Sequence, residues 1–158
     1  YLAMWQDKVT RRIIGWSLSE EMTAELVVSA LEKEIKNGLV NGGAIIHSDR
    51  GSQYASNKFR LLLQQSCLRQ SMSGKGNCYD NAQAESFFSR FKAELIEDGV
   101  FSDLEEAKLE IFSYIEGYYN RERLHSSLGY KTPIEFEAEW YMKNKLENNG
   151  GKESFLSI

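Results

Sequence analysis

Two carboxylates in this chain have the setting for metal-assisted chemistry. Asp49 follows a short apolar run in Ile45-Ile-His-Ser-Asp-Arg-Gly-Ser-Gln-Tyr54. Glu85 lies near the start of an amphipathic stretch in Asn77-Cys-Tyr-Asp-Asn-Ala-Gln-Ala-Glu-Ser-Phe-Phe88. Thirty-five residues separate them. Carboxylate oxygens are the ligands that Mg²⁺ and Mn²⁺ prefer. A strand-end Asp and a helix-borne Glu can share such ions for phosphoryl transfer. Each also has a plain structural reading: Asp49 as a loop cap, Glu85 as a solvated first-turn residue favoured by the helix dipole.

The elements around them follow from periodicity and turn chemistry. Tyr1 to Val9 and Arg12 to Leu18 read as two strands joined at about Thr10-Arg11. Ala24, Val27, Val28, Leu31 and Ile35 recur at helical spacing, capped by Ser17 or Ser19 and stopped by Asn37-Gly38. Ala44 to His47 is a short strand that delivers Asp49 at its C-terminal end, where open α/β sheets present ligand groups. Asn57 to Gln65 reads as a helix and Leu68 to Met72 as a strand. After a Gly-containing loop, Ser73 to Asp80, comes a helix from Ala82 to about Glu97, with Asp80 or Asn81 as its cap. Ser102 and Glu105 form a capping box for a helix through about Tyr119, and Pro133 opens another to about Lys145. Leu146 to Ile158 reads as a polar, frayed tail.

The helix carrying Glu85 repeats Ala84, Phe87, Phe88, Phe91 and Leu95 on its apolar face. At 100° per residue, Lys92 returns to within about 20° of Glu85, two turns on. One stripe therefore offers a carboxylate and then an ammonium, the latter suited to a phosphate backbone.

The bulk properties of the 158 residues are those of one ordinary globular domain, 42% hydrophobic and 27% charged. No apolar run approaches the ~20 residues of a membrane span. Cys67 and Cys78 form no disulfide framework or metal cluster, and Cys67 reads as a small buried apolar residue. A cytoplasmic location is the default. The net charge of −4 weighs against nucleic acid as a partner. Its distribution weighs the other way: Arg50, Lys75, Lys92, Arg121, Arg123 and Lys131 all fall in or beside the segments singled out here.

Three strings carry a family likeness: His47 to Tyr54, Ser71 to Phe88, and Tyr119-Asn-Arg-Glu-Arg-Leu-His-Ser-Ser-Leu-Gly-Tyr-Lys-Thr-Pro133. Together they make the chain, from Tyr1 to about Trp140, resemble the C-terminal part of a bacterial insertion-sequence transposase with a retroviral-integrase-like DDE core. The resemblance implies an α/β, ribonuclease-H-like fold: a mixed sheet flanked by helices over residues 1–140, then a helix end and flexible tail over 141–158. It implies that Asp49 and Glu85 are the second and third catalytic carboxylates and metal ligands, for Mg²⁺ or Mn²⁺. Lys92 corresponds to a DNA-contacting position, and the loop with Lys75 to one flanking the active site. Arg123 and His125 are further DNA-binding candidates, or they simply pin the last helices together. His47 orients Asp49 or is a packed, hydrogen-bonded histidine. The implied reaction is phosphodiester hydrolysis at an element end, followed by strand transfer into target DNA by a homo-oligomer. No membrane and no small-molecule substrate enter that scheme.

One departure stands out. In the resembling family the first catalytic Asp ends the first strand, in a Trp-x-Thr-Asp-type string, and no such string occurs here. Asp7 corresponds instead to a recurrent Asp near the end of the second strand. The first strand is central in such a sheet, so its omission leaves two inner edges unpaired. The expectation is a truncated chain or decayed gene that is unstable, misassembled or completed by another segment. Two rival functions follow: an inactive remnant serving as a folding or interaction module, and a ribonuclease-H-like nuclease acting on RNA–DNA hybrids.

Overall fold

A computed structural model describes residues 1–74, 82–95, 101–147 and 155–157. Strand β1 (Leu2–Asp7) and strand β2 (Ile13–Leu18) form an antiparallel hairpin. The carboxylate of Asp7 shapes the hairpin's turn by accepting from the N–H groups of Val9 and Thr10, at 2.8 and 2.7 Å. Helix α1 (Ala24–Lys36) follows, then β3 (Ile45–Ser48), α2 (Asn57–Gln65) and β4 (Arg69–Met72). Helix α3 is Ala82–Leu95. Helix α4 (Leu104–Phe112) continues as a π-helical segment, Ser113–Tyr119. A short 3₁₀ turn (Ser126–Leu128), α5 (Pro133–Glu147) and β5 (Phe155–Ser157) complete the order.

Alternation along β1 builds a three-layer molecule. Ala3 and Trp5 face α1 and α2, where Leu31, Phe59 and Leu63 close one core. Met4 faces the other way, into a core of Phe87, Phe91, Ile111, Ile115 and Tyr119. Trp5 and Phe59 stack at 5.8 Å, and Tyr54 meets both edge-on. Gly15 lets β2 approach α1 closely, since a Cβ there would lie 2.3 Å from the carbonyl oxygen of Ala30. On the other face, buried Asn120 accepts from Ile13 N–H at 3.0 Å and donates to Ile13 C=O at 2.9 Å. It thereby clamps the end of the π-helical segment to the hairpin. Among the described residues no helix is long and apolar enough to cross a membrane.

The sheet order is β2-β1-β5-β3-β4. The inner position between β1 and β3 is thus filled from the far end of the chain. Strand β5 runs antiparallel to β1, through Gln6↔Ser157 and Asp7↔Leu156, and parallel to β3, from Ile45↔Phe155 to His47↔Ser157. Residues 155–157 are therefore not a frayed tail. Two flanking strands with unpaired backbone groups recruit this three-residue Phe-Leu-Ser segment, whose polar and Gly-bearing surroundings otherwise read as a tail. The gap expected from the sequence is closed by another segment of the same chain.

Other boundaries moved for local reasons. Helix α1 starts after Thr23, because Ser17 belongs to β2 and Ser19 instead accepts from Glu21 N–H in a turn. The capping box sits one residue later than expected: Asp103 accepts from Glu106 N–H, and Glu106 reaches back to Ser102 N–H. Cys67 is exposed rather than buried, with a left-handed φ of 53° in the turn between α2 and β4.

Two outcomes follow. Asn120→Ala leaves both backbone groups of Ile13 without their partner and should cost about 2–4 kcal/mol in urea unfolding. Deleting residues 148–158 removes two residue pairs to β1 and three to β3. At about 1 kcal/mol for the ladder bond of each pair and about 2–4 °C per kcal/mol, Tm should fall by about 10–20 °C, measured by calorimetry.

Candidate active site

Asp49 immediately follows β3 and is exposed. Its Oδ1 accepts from Gly51 N–H at 2.7 Å, while Oδ2 makes no hydrogen bond among the described residues. Gly51 sits tightly in this turn, where a Cβ would need the Asp49 and Gln53 side chains to shift. A Cβ there would lie 2.9 Å from Asp49 Oδ1 and 2.7 Å from Gln53 Oε1. Arg50 ties the same loop to the end of β4 by donating to Ser73 C=O at 2.9 Å. Tyr54 anchors it in the core, and burial followed by the nearby Asp49 charge raises its hydroxyl pKa. The string His47 to Tyr54 is thus a brace that fixes one carboxylate at a strand end.

His47 is part of the brace and not a partner of Asp49. Its Nδ1 meets Ser71 Oγ at 2.9 Å and its Nε2 meets Ser73 Oγ at 3.3 Å, so the ring bonds β3 to β4 and the residue just beyond it. Asp7 is committed to the hairpin turn.

Glu85 projects from the first turn of α3, and Lys92 follows two turns later; both are exposed. Neither makes an ion pair among the described residues. The helix is continuous over both positions, so the shared stripe read from the sequence stands. Buried Ala84, Phe87 and Phe91 hold the opposite side. Lys75, Asp80 and the remainder of the Ser73–Asp80 loop beyond Gly74 lie outside the described residues.

The donor chemistry of Asp49 and Glu85 suits a hard divalent ion. The number of donors falls short: the described residues contain no group of three or more His, Cys, Asp or Glu able to hold a metal. A further oxygen ligand is needed for a complete set.

The third string divides its roles. Arg123 is locked by Glu94, with Nε 3.1 Å from both carboxylate oxygens and Nη2 2.9 Å from Oε1, and it lies over the Tyr119 ring at 5.9 Å. Burial pushes the Glu94 pKa up, but hydrogen bonds from Arg123 and Tyr114 outweigh it and hold the carboxyl below its usual range. Arg123 is therefore ion-paired within this fold. His125 meets Tyr119 edge-on at 5.0 Å, and its Nε2 is buried without a hydrogen-bond partner among the described residues. Burial, then the charges of Arg123, Arg11 and Arg90, lower its pKa to about 4.

Comparison with known proteins places this geometry. Two models of the integrase core domain match, over residues 1–78 and 66–133. The chain belongs to the integrase core domain family. It is 46% identical over 137 residues to the transposase of insertion sequence element IS904 from Lactococcus lactis, covering 87% of this chain and 54% of that protein. It is 44% identical over 139 residues to the transposase InsF of insertion sequence IS3fB from Escherichia coli K12, covering 88% and 48%. The chain thus spans about half the length of these curated relatives. Among solved structures, the catalytic core domain of BIV integrase superposes with a TM-score of 0.65 at 17% identity, over 91% of this chain and 89% of that one. The HTLV-2 integrase catalytic core domain in complex with magnesium gives 0.57 at 15%, over 85% and 82%. These likenesses show a ribonuclease-H-like, integrase-core fold, as the sequence strings imply.

The depressed pKa of His125 carries a pH signature. Below pH ~6.5 the unfolded chain protonates this histidine while the folded chain holds it neutral down to about 4. Its contribution is present above ~6.5 and lost as pH falls through that window. His125→Phe should flatten the fall in urea midpoint between pH 6.5 and 4; an unchanged slope would show a solvated ring.

Proposed function

We propose that this chain is the C-terminal portion of the catalytic domain of an insertion-sequence transposase. Its reaction is metal-dependent phosphodiester hydrolysis at an element end and transfer of the freed 3′-hydroxyl to target DNA. The observation that carries this reading is the pair of exposed carboxylates, Asp49 at a braced strand end and Glu85 on a helix stripe, in a chain 44–46% identical to two transposases. The 158 residues resemble only about half of such a protein, so recognition of element ends belongs to the remainder.

In this reading Asp49 and Glu85 are metal ligands. Divalent ions there would supply charge stabilisation for the attacking and leaving oxygens. That an HTLV-2 integrase core was solved with magnesium supports Mg²⁺, with Mn²⁺ the natural alternative. The chain's own contribution is positional. Gly51 N–H fixes one oxygen of Asp49 and leaves the other open, and the Phe-rich face of α3 fixes the direction of Glu85. Lys92, on the Glu85 stripe, neutralises a DNA phosphate; Lys75 adds charge from the neighbouring loop. A further carboxylate, beyond Asp49 and Glu85, would complete the ligand set. The partners are element-end and target DNA and further copies of the protein, since two ends must be joined. The compartment is the cytoplasm.

A second reading has one observation in its favour. The lack of a three-carboxylate group among the described residues fits an inactive module that folds and associates without cleaving DNA.

Strand transfer of a labelled DNA end with Mn²⁺ separates the two. A chain extended at Tyr1 with the corresponding segment of a relative should join DNA duplexes. Asp49→Asn or Glu85→Gln should each lower that activity by more than about 100-fold, because even outer-shell partners of a metal site are worth about 10–100-fold. No activity in the extended chain supports the inactive module. Cleavage of an RNA–DNA hybrid without joining would make it a nuclease.

A further inference from the structure

A cavity of about 490 Å³ opens between the β1–β2 turn, α3 and the Tyr119–Tyr130 segment, on a different side of α3 from Glu85. Arg90 stands about 140° around the helix from Glu85. The cavity's size is that of a small-molecule site (about 300–1,000 Å³). Its walls are chemically unfinished. Of four buried side-chain polar atoms that lack hydrogen-bond partners among the described residues, three belong to residues lining it: Gln6 Oε1, Gln83 Oε1 and His125 Nε2. Buried polar atoms are normally satisfied; these three are sealed from water in the free chain, so they point to an outside partner that reaches them when the side chains of the cavity wall shift.

The orientation of Gln6 is fixed. Its Nε2 donates to Arg11 C=O at 3.0 Å and to Tyr119 Oη at 2.9 Å, and a carbonyl can only accept. The amide oxygen is therefore the unpaired atom, and it calls for a ligand with an N–H or O–H. Arg11 and Arg90 line the same cavity and form no salt bridge among the described residues, in contrast to Arg123, which Glu94 neutralises. Tyr130, 73% exposed, adds an open aromatic ring at the rim. Arg11 and Tyr130 both hold positive φ, 63° and 59°, two of the three non-glycine residues that do so among those described. Such backbone is kept where surrounding structure and function demand it.

We infer that this cavity binds one unpaired nucleotide of the DNA substrate, its phosphate on Arg11 and Arg90, its base edge on Gln6 and Gln83, and its ring against Tyr130. A nucleotide combines an anion, N–H donors on the base edge and a flat face. Inorganic phosphate would leave the glutamine oxygens and the aromatic rim unused. A base stacked within a duplex cannot enter, so the nucleotide must be extrahelical or in a single-stranded end. Helix α3 is about 10–12 Å across with its side chains. A strand following the Glu85–Lys92 stripe thus passes close to the cavity mouth. The inference rests on the DNA-processing reading given above and adds a site separate from its carboxylates.

The test is fluorescence anisotropy of the 158-residue chain with a blunt duplex and with the same duplex bearing a three-nucleotide single-stranded end. The unpaired end should tighten binding about tenfold, the scale of one base–aromatic stack. The double substitution Arg11→Ala and Arg90→Ala, and separately Tyr130→Ala, should remove that gain and leave blunt-duplex affinity within about twofold. Lys92→Ala should weaken both substrates alike. Deoxyadenosine monophosphate should compete for the overhang-dependent binding far better than inorganic phosphate. Because Tyr130 is exposed, its substitution keeps the test open if the arginine variant unfolds. Equal binding of both duplexes, equal loss on both with the cavity variants, or equal competition by phosphate would overturn this inference alone. Absence of binding to either duplex would overturn it together with the DNA-processing reading for this chain.

Discussion

The centre of the sheet imposes the governing constraint. Strands β1 and β3 are both inner strands, and each needs a hydrogen-bonding neighbour on the side where they face one another. Satisfying β1 demands an antiparallel strand and satisfying β3 a parallel one. Strand β5 meets both demands with three residues. The placement of Asp49 hangs from this arrangement. It holds β3 in register, β3 delivers Asp49, and the β1 side supplies the two faces on which the helices dock. A short C-terminal strand can serve because the slot is defined by backbone geometry, which any extended segment satisfies, more than by side-chain identity.

The second constraint lies on the opposite face of the sheet. The segment from Tyr114 to His125 links α3 to the hairpin through polar contacts made in a mostly buried setting. Asn120 bonds both backbone groups of Ile13, Tyr119 Oη accepts from Gln6, and Glu94 gathers Tyr114 and Arg123. Nearly all of these groups are satisfied, so they specify one docking geometry. The exceptions, Gln6 Oε1 and His125 Nε2, sit at the edge of this network, where it opens into the cavity. A network that ion-pairs Arg123 and, among the described residues, leaves Arg11 and Arg90 without a salt bridge separates charge used within the fold from charge available to a ligand.

Several features follow from the sequence alone because they depend on near neighbours. Helix α2 runs from Asn57 to Gln65 as its pattern demands, with Ser56 as cap. The hairpin, the strand before Asp49 and the Glu85–Lys92 stripe are set by alternation and by 100° steps. The three strings also carry the family likeness that the comparisons bear out. Local signals were less able to choose between adjacent residues with equal capping chemistry, as at Ser19 against Thr23 and at Ser102 against Asp103.

Tertiary structure alone decided the rest. Residues 155–157 are too few to announce a strand by local pattern; they pair with β1, at the other end of the chain, and with β3, because those edges would otherwise be unpaired. The same holds for the roles within Tyr119 to Pro133. Sequence marks Arg123 and His125 as similar candidates, and only packing shows that Glu94 neutralises one while the other is buried with a ring nitrogen unpaired. Periodicity and caps are written over a few residues, whereas hydrogen-bond partners and cavities arise where distant segments meet. The strand-end place of Asp49 and the helix stripe of Glu85 were therefore legible in one dimension, and the strand that supports Asp49 and the cavity beside α3 were legible only in three.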